Sequence, residues 1–251
     1  MIKKMLPDGN EYFLPDAPGF RTELIDHYID EMYDPHNPHY MEAYYKVDEG
    51  MSVVDAGAYT GLFTLKSSKV VGRDGVVISL EPFPAAFRVL SYNVKKNKLK
   101  NVILLKEGLW SSTCFKKLMI DKSYIGNRIL EDSSFPLKNF LASLFRLYHI
   151  HMKHNIRLIE VKLTTLDKLL TRFNLEQIDF LKMDIEGSEL EALRAYTEIV
   201  KGNILVLETH RNLEAVLHQL VEKGYSMQKT YVVPVNSSNS IVHTISEVTN
   251  E

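Results

Sequence analysis

The sequence predicts an α/β protein built on a doubly wound, mostly parallel sheet, with helices on both faces and a C-terminal antiparallel hairpin. From Met51 onward, short β-rich runs alternate with helix-length segments, which is typical of right-handed crossovers between parallel strands covered on both sides. The last two runs, "YSMQKTYVVPV" and "SSNSIVHTI", flank a polar turn at Asn236 to Asn239. That pattern favours a hairpin closing one edge of the sheet.

Size and composition limit the number of domains, the kinds of partner and the cysteine chemistry that the chain can have. The chain has 251 residues, 45% hydrophobic and 25% charged, which suits one sizeable core, and we expect one domain with additions. A net charge of -2 gives no general attraction to nucleic acid, and the local basic run "KKNKLK" is typical of a solvated helix end. Cys114 is the only cysteine, which excludes an intramolecular disulfide and fits a reducing compartment.

The N-terminal segment, residues 1–46, is rich in Pro, Asp, His and Tyr. It contains one helical candidate, Thr22 to Tyr33, which ends before the "DPHNPHY" break. We interpret this segment as a cap or lid preceding a main domain of residues 47–251. No long apolar run follows Lys3 and Lys4, so we expect no signal peptide or membrane span, and a cytoplasmic protein.

The main domain supplies five predicted parallel strands, in the order "SVVDAG", "GVVISLEP", "NVILLKEGLW", "IDFLKMDIEG" and "NILVLETH". A helical insertion at about residues 121–156 interrupts the alternation. Within it, Phe135 to His154 has apolar residues at helical spacing. This amphipathic stretch could pack on the core or on a second copy as a homodimer contact, cover a substrate pocket as a lid, or lie on a membrane surface.

A glycine turn follows the first of these strands in "VVDAGAYTGLFTL". Asp55, Gly57 and Gly61 form a D-x-G-x-x-x-G pattern, which differs from both the dinucleotide fingerprint and the phosphate loop. No lysine follows the second glycine, which argues against a nucleoside triphosphate. Small residues would let a ligand approach the backbone around Ala58 and Tyr59, and the acid suits a cationic or hydroxyl-bearing ligand. Taken alone, such glycines are also ordinary turn formers.

Glu81 ends the second strand, 26 residues after Asp55, and is followed by Pro82 and Phe83. This is close to the spacing at which such folds place a carboxylate to accept the two ribose hydroxyls. The combination predicts an adenosine site for a ligand with a positively charged tail. S-adenosylmethionine fits that description.

The runs "VVDAGAYTG", "VISLEPFP", "NVILLKEGLWS", "TTLDKLL" and "IDFLKMDIEGSELEALR" resemble, in order and spacing, the FkbM-type class I S-adenosylmethionine-dependent methyltransferases over about residues 50–210. The resemblance implies the Rossmann-like class I methyltransferase fold and methylation of hydroxyl oxygens. Its most specific part is the K-x-D-x-E-G-x-E pattern that begins at Lys182. The chain departs from the family at Tyr59, where Asn is usual, and in the length of the insertion.

Methyl transfer to a neutral hydroxyl requires removal of its proton. The candidate groups are Asp184 and Glu186 at the end of one strand, and Glu208 and His210 at the end of the next. His210 is the favoured general base, with a structural histidine or a metal ligand as alternatives. Asp184 would contact the cofactor or orient the acceptor. A magnesium site from these four groups is possible but not favoured.

Glu107 and Gly108 end the third strand, where the adenine edge should lie. Glu107 would accept from the adenine amino group or face solvent, and Trp110 would pack in the core or near the adenine. Glu186 and Glu189 lie where a helix begins, and acids at that place satisfy the free N–H groups of the helix. Thr164 or Thr165 is expected to cap another helix.

The function most favoured by these patterns is O-methylation of a hydroxyl on a sugar, glycan, polyketide or similar small molecule. One alternative is a methyltransferase acting on nucleic acid or protein, although the charge balance and the absence of a D/N-P-P-Y/F/W sequence argue against nucleic acid. Another is a non-catalytic binding module with the same fold. The intact glycine turn and Glu81 argue against that module.

Overall fold

The structure is a computed structural model that describes residues 1–17, 19–20, 22–37, 46–120, 127–130, 157–197, 204–209, 213–224, 226–236 and 239–247, with the backbone alone for 204, 208–209 and from 226 onward. The described strands are β1 (Ile2–Met5), β2 (Glu11–Leu14), β3 (Ser52–Ala56), β4 (Val76–Leu80), β5 (Val102–Leu105), β6 (Gly108–Leu109), β7 (Cys114–Ile120), β8 (Arg128–Ile129), β9 (Arg157–Thr164), β10 (Phe180–Met183), β11 (Ile204–Thr209), β12 (Ser226–Asn236) and β13 (Asn239–Glu247).

The described α-helices are α1 (Ile25–Tyr33), α2 (Leu62–Val71), α3 (Pro84–Lys96), α4 (Leu166–Phe173), α5 (Glu189–Arg194) and α6 (Leu213–Glu222). A 3-10 turn, Thr22–Leu24, precedes α1, so the predicted helix from Thr22 to Tyr33 is confirmed. Helix α3 begins with Pro84 at its first turn, where the missing N–H group costs no hydrogen bond. None of the helices in the described ranges is long and apolar enough to span a membrane.

The main sheet has seven strands in the order β12-β13-β11-β10-β3-β4-β5. Strands β11, β10, β3, β4 and β5 are mutually parallel, whereas β13 is antiparallel to β11 and β12 is antiparallel to β13. The doubly wound fold and its closing antiparallel hairpin are therefore confirmed. The hairpin turns between Asn236 and Asn239, as predicted.

Apolar residues alternate along the central strands to fill two separate cores. Val54 of β3 and Ile78 of β4 face one side, in a core shared with α4, α5 and α6. Their neighbours Val53 and Val77 face the other side, in a core shared with α2. Strands covered on both faces need apolar residues at most positions, which explains why the runs of β3 and β4 are almost continuously hydrophobic.

A second sheet of four strands, in the order β6-β9-β7-β8, flanks the main sheet. Strands β7 and β9 pair antiparallel from Cys114 opposite Leu163 to Ile120 opposite Arg157. The predicted insertion at about 121–156 therefore runs between two paired strand ends. Its amphipathic stretch, Phe135 to His154, lies outside the described residues, and the domain boundaries stay a prediction.

The N-terminal segment begins with an antiparallel hairpin of β1 and β2, which the sequence analysis did not predict. Tyr12 and Leu14 of β2 pack with Leu62 and Leu65 of α2 and with Val89 of α3. The hairpin thus lies against the two helices that follow the first two central strands.

Candidate functional site

The carboxyl ends of β3, β4 and β10 are joined by backbone hydrogen bonds. The N–H groups of Gly57 and Ala58 both donate to the carbonyl oxygen of Leu80, each at 3.0 Å. The N–H group of Asp184 donates to the carbonyl oxygen of Ala56, also at 3.0 Å. The predicted glycine turn and the acidic end of β10 are therefore side by side, at the edge where open parallel sheets bind ligands.

The two glycines of the turn are required by the packing of the protein itself. Gly57 has φ +78°, and a Cβ atom there would lie 1.8 Å from the carbonyl oxygen of Asp184. Gly61 has φ +95°, and its Cβ atom would lie 2.6 Å from Cδ1 of Leu90 in α3. These close approaches explain why both positions need glycine, and the expected approach of a ligand to this turn stays a prediction.

Glu81 lies directly after β4 with 6% of its surface exposed. Its Oε2 accepts a hydrogen bond from the Tyr59 N–H group and its Oε1 accepts one from the Phe83 N–H group, both at 2.8 Å. Burial raises the pKa of Glu81 to about 8, and these N–H groups lower it less than burial raises it. The nearby charges of Asp55 and Asp184 raise the pKa further. Each carboxyl oxygen keeps a second lone pair, which a ligand donor can use.

Asp55 is fully buried under the turn. Its Oδ2 accepts a hydrogen bond of 2.6 Å from the Thr64 hydroxyl, which lies 2.9 Å from the Ser79 hydroxyl. Its Oδ1 lies 3.5 Å from the Lys182 ammonium. These contacts with α2 and β10 make Asp55 a support of the turn from inside the fold, and its predicted contact with the cofactor stays a prediction.

Lys182 is a residue of this site that the sequence analysis left without a role. It pairs with Asp55 across β10 and β3, and its side chain is 12% exposed. Its ammonium lies 3.8 Å from Oδ2 of Asp184 and 5.8 Å from the ring centre of Phe63. A lysine inside the otherwise apolar strand "FLKM" was the available signal, because a buried ammonium needs an anionic partner. The Asp184 side chain is 32% exposed and reaches the surface beside this pair.

Two consecutive left-handed residues follow Asp184. Glu186 has φ +54° and Gly187 has φ +95°, so the chain turns sharply before α5. Glu189 Oε1 accepts a hydrogen bond of 3.0 Å from the Gly187 N–H group, which confirms that this acid satisfies a donor where the helix starts. The unfavourable conformation of Glu186 lies next to the exposed carboxylate, and its predicted catalytic role stays a prediction.

Glu107 is buried between two cations. Its Oε1 lies 2.9 Å from the Lys162 ammonium of β9 and 3.2 Å from the Arg172 guanidinium of α4. Burial alone would raise the pKa of Glu107, but these two partners outweigh it and hold the pKa below its ordinary value. The alternative that Glu107 is a solvated surface acid is therefore wrong.

Gly108, which follows Glu107, packs closely against Pro82, which follows Glu81. A Cβ atom at Gly108 would lie 2.9 Å from Leu163 and 3.4 Å from Cγ of Pro82. Phe83 and Trp110 are buried in one apolar cluster beside these loops, so the core role expected of Trp110 is confirmed.

The residues at this edge fit an adenosyl cofactor. Glu81 offers a fixed pair of carboxyl oxygens, which suits a diol. Oε2 of Glu107 is buried and has no hydrogen-bond partner among the residues that the structure describes. An unsatisfied buried acceptor costs about 1–3 kcal/mol, so a ligand amino group at this oxygen would be stabilising.

The predicted general base, His210, lies outside the described residues, and the side chain of Glu208 is not described. The backbone of Glu208 pairs with His243 of β13. Within the described part of the chain, no group of three or more His, Cys, Asp or Glu side chains could hold a metal ion.

Comparison with known proteins gives one family match and several relatives. The family model described as Methyltransferase FkbM domain matches residues 55–227. The chain is 29% identical over 193 residues to "Methyltransferase sdnD" of Sordaria araneosa, a match that covers 70% of this chain and 74% of that protein. It is 27% identical over 150 residues to "Methyltransferase 1" of Beauveria bassiana (strain ARSEF 2860), covering 57% of each protein.

Among solved structures, the chain is similar to the methyltransferase FkbM from Methylobacillus flagellatus KT, with a TM-score of 0.51 and 16% identity. The superposition covers 82% of this chain and 46% of that one. At this identity the likeness concerns the fold alone, and the chain spans about half the length of that protein.

Proposed function

Because this chain belongs to the Methyltransferase FkbM domain family, we propose that it methylates a hydroxyl oxygen on a sugar, glycan, polyketide or similar small molecule. The family makes it a methyltransferase, and its methyl donor is S-adenosylmethionine. The choice of a hydroxyl acceptor, and the residues that act on it, are the proposal.

The cofactor supplies an electrophilic methyl group on a sulfonium centre. Glu81 accepts the hydrogen bonds of its ribose hydroxyls, and Oε2 of Glu107 accepts one from its adenine amino group. Ala58, Tyr59 and the loop after Glu81 form the remaining wall. Asp55 stays beneath this wall and keeps Thr64 and Lys182 in place.

The observation that carries the hydroxyl acceptor is the position of Asp184. Its carbonyl oxygen touches the glycine turn at Gly57, while its carboxylate is partly exposed beside Lys182. A carboxylate at that place accepts the hydrogen bond of an incoming hydroxyl and orients its oxygen, and orientation is a large part of what an in-line displacement needs.

We assign proton removal to His210 and orientation of the acceptor to Asp184. Glu186, two residues after Asp184, is the third residue of the proposed catalytic group. Buried carboxylates Asp55 and Glu81 have other partners and do not meet the acceptor. This division predicts that His210 and Asp184 affect turnover, whereas Glu81 affects cofactor binding.

The first test is calorimetric titration with S-adenosylhomocysteine, followed by transfer of labelled methyl groups from S-adenosylmethionine to a panel of hydroxyl acceptors. Glu81→Ala should lose about 1.5–3 kcal/mol of binding free energy. Asp184→Asn and His210→Ala should bind nearly as well as the wild type but turn over about 100-fold more slowly. Asp74→Asn, an exposed acid before β4, is the matched control.

Transfer to amine or thiol acceptors, with none to any hydroxyl, would overturn the acceptor class. Turnover of Asp184→Asn equal to that of Asp74→Asn would remove Asp184 from the catalytic group.

A further inference from the structure

Two side-chain amides of α3 pair with the outer edge of β2. The Asn93 Oδ1 accepts from the Phe13 N–H group and its Nδ2 donates to the Phe13 carbonyl oxygen, both at 2.9 Å. Asn97, one helical turn later, makes the same pair of bonds to Glu11, both at 2.7 Å. Together the amides replace a neighbouring strand and satisfy backbone groups that would otherwise be unpaired.

Asn93 differs from Asn97 in one contact. Its second amide hydrogen donates to the carbonyl oxygen of Thr60, at 2.8 Å, whereas that of Asn97 returns to its own helix. Asn93 is fully buried, and its two donor hydrogens and its oxygen are all used. One side chain thereby joins the N-terminal hairpin to the glycine turn.

Thr60 has a second contact to the hairpin, because its hydroxyl forms a hydrogen bond with the Tyr12 hydroxyl. Burial raises the pKa of Tyr12 to about 12, so that hydroxyl keeps its proton across the physiological range. The hydroxyl of Thr60 is therefore bonded to Tyr12 of the hairpin. Its carbonyl oxygen is bonded to Asn93, which also binds the hairpin.

The position of Thr60 gives these contacts a consequence for the site. It lies between Tyr59, which has φ +49°, and Gly61, which has φ +95°. A left-handed conformation is unfavourable for tyrosine by roughly 1–2 kcal/mol, so the surroundings must hold it. In this conformation the Tyr59 N–H group points at Glu81.

We propose that the N-terminal hairpin is a positioning element for cofactor binding, and that Tyr12 and Asn93 are positioning residues that act through Thr60 on Tyr59 and Glu81. The inference rests on the proposed function, because it concerns the same cofactor site. It assigns a role to a segment that lies before the residues matched by the family model.

The test measures S-adenosylhomocysteine affinity and the free energy of unfolding of the full chain for four single variants and one double variant. Tyr12→Phe and Asn93→Ala should each weaken affinity by about 3- to 10-fold, since each removes a buried hydrogen bond to the turn. Asn97→Ala is the matched control: it removes a similar pair of bonds to β2 without touching Thr60. It should lose stability while binding with wild-type affinity.

Thr60→Val separates positioning from simple stabilisation. In a double-mutant cycle with Tyr12→Phe, the two losses of affinity should be non-additive, because both remove the same hydroxyl contact. Additive losses, or equal affinities for Asn93→Ala and Asn97→Ala, would overturn the inference. Failure of the wild-type protein to bind S-adenosylhomocysteine would instead overturn the proposed function, so the two outcomes are distinguishable.

Discussion

At the scale of single residues, the pKa values of two acids near one sheet edge are shifted in opposite directions because their surroundings differ. Glu81 is bonded to two backbone N–H groups, and Glu107 is paired with two cations. Two N–H groups do not compensate for the burial of a charge, whereas two cations do. Glu81 is therefore largely protonated near neutral pH in the free protein, and Glu107 is ionised.

The two glycines of the turn should respond differently to the same substitution. Both have positive φ, so alanine costs roughly 1–2 kcal/mol at either position from backbone strain alone. At Gly57 the new Cβ atom would also collide with the backbone of Asp184, which cannot move without breaking the β3 to β10 ladder. At Gly61 it meets the end of the flexible Leu90 side chain. In urea unfolding, Gly57→Ala should lose at least about 2 kcal/mol more than Gly61→Ala, and equal losses would contradict this reading of the turn.

The raised pKa of Glu81 predicts a pH dependence of stability. Between the ordinary glutamate pKa and about 8, the folded protein holds a proton that the unfolded chain has released. The free energy of unfolding should therefore fall as the pH rises through that window, from about 5 to about 8. Glu81→Gln keeps the neutral shape and should remove this decline in urea unfolding measured at several pH values.

The raised pKa of Glu81 also predicts that cofactor affinity changes with pH in the opposite direction to the free energy of unfolding. If the ionised carboxylate accepts the ribose hydroxyls, S-adenosylhomocysteine affinity should rise with pH up to about 8 and then level off. The rise approaches tenfold per pH unit well below the pKa. Glu81→Gln should bind more weakly without this rise, and an unchanged pH profile in that variant would exclude Glu81 as the source.

At the scale of elements, helix α4 depends on the capping residue that precedes it. The Thr165 hydroxyl accepts a hydrogen bond of 3.2 Å from the Lys168 N–H group, which confirms the predicted cap. Thr165→Ala should lose about 1 kcal/mol of the free energy of unfolding. Thr171→Ala, an exposed position in the same helix, is the control, and a change within about 0.5 kcal/mol is expected. Equal losses in the two variants would contradict the capping role of Thr165.

The elements that the sequence predicts are those with strong local patterns. The five parallel strands and the C-terminal hairpin are apolar or β-branched runs bounded by turn residues, and all are present. The β1–β2 hairpin was missed because its two strands have only four residues each, which is too short for an alternating pattern to be recognised.

Within the site, too, the sequence predicts the location of residues better than the direction of their side chains. The acids after β3, β4 and β10 could be placed at one sheet edge from sequence, because parallel strands end together. Whether a given acid faces outward could not be predicted. Asp55 turns inward because Thr64 and Lys182 meet it there, and that meeting depends on the register between β3 and β10.

At the scale of the whole molecule, the second sheet completes the site of the first. Strand β6 begins directly after Glu107 and pairs with β9, which supplies Lys162. Helix α4 follows β9 immediately and supplies Arg172. The two cations that keep Glu107 ionised therefore come from one continuous strand and helix, and the β6–β9 pairing brings them to the edge of the main sheet.

This arrangement predicts that the fold and the cofactor site do not need residues 121–156. Ile120 and Arg157 are paired residues at the end of the β7–β9 ladder, so a two-residue Asn-Gly turn can join them directly. Only the short strand β8 would be lost from the described structure, at an expected cost of about 1–2 kcal/mol. The shortened protein should bind S-adenosylhomocysteine with wild-type affinity in calorimetry. Loss of methyl transfer with affinity retained would assign the removed residues to the acceptor, whereas loss of affinity in a folded variant would contradict the prediction, because the cofactor site would then extend beyond the two sheets.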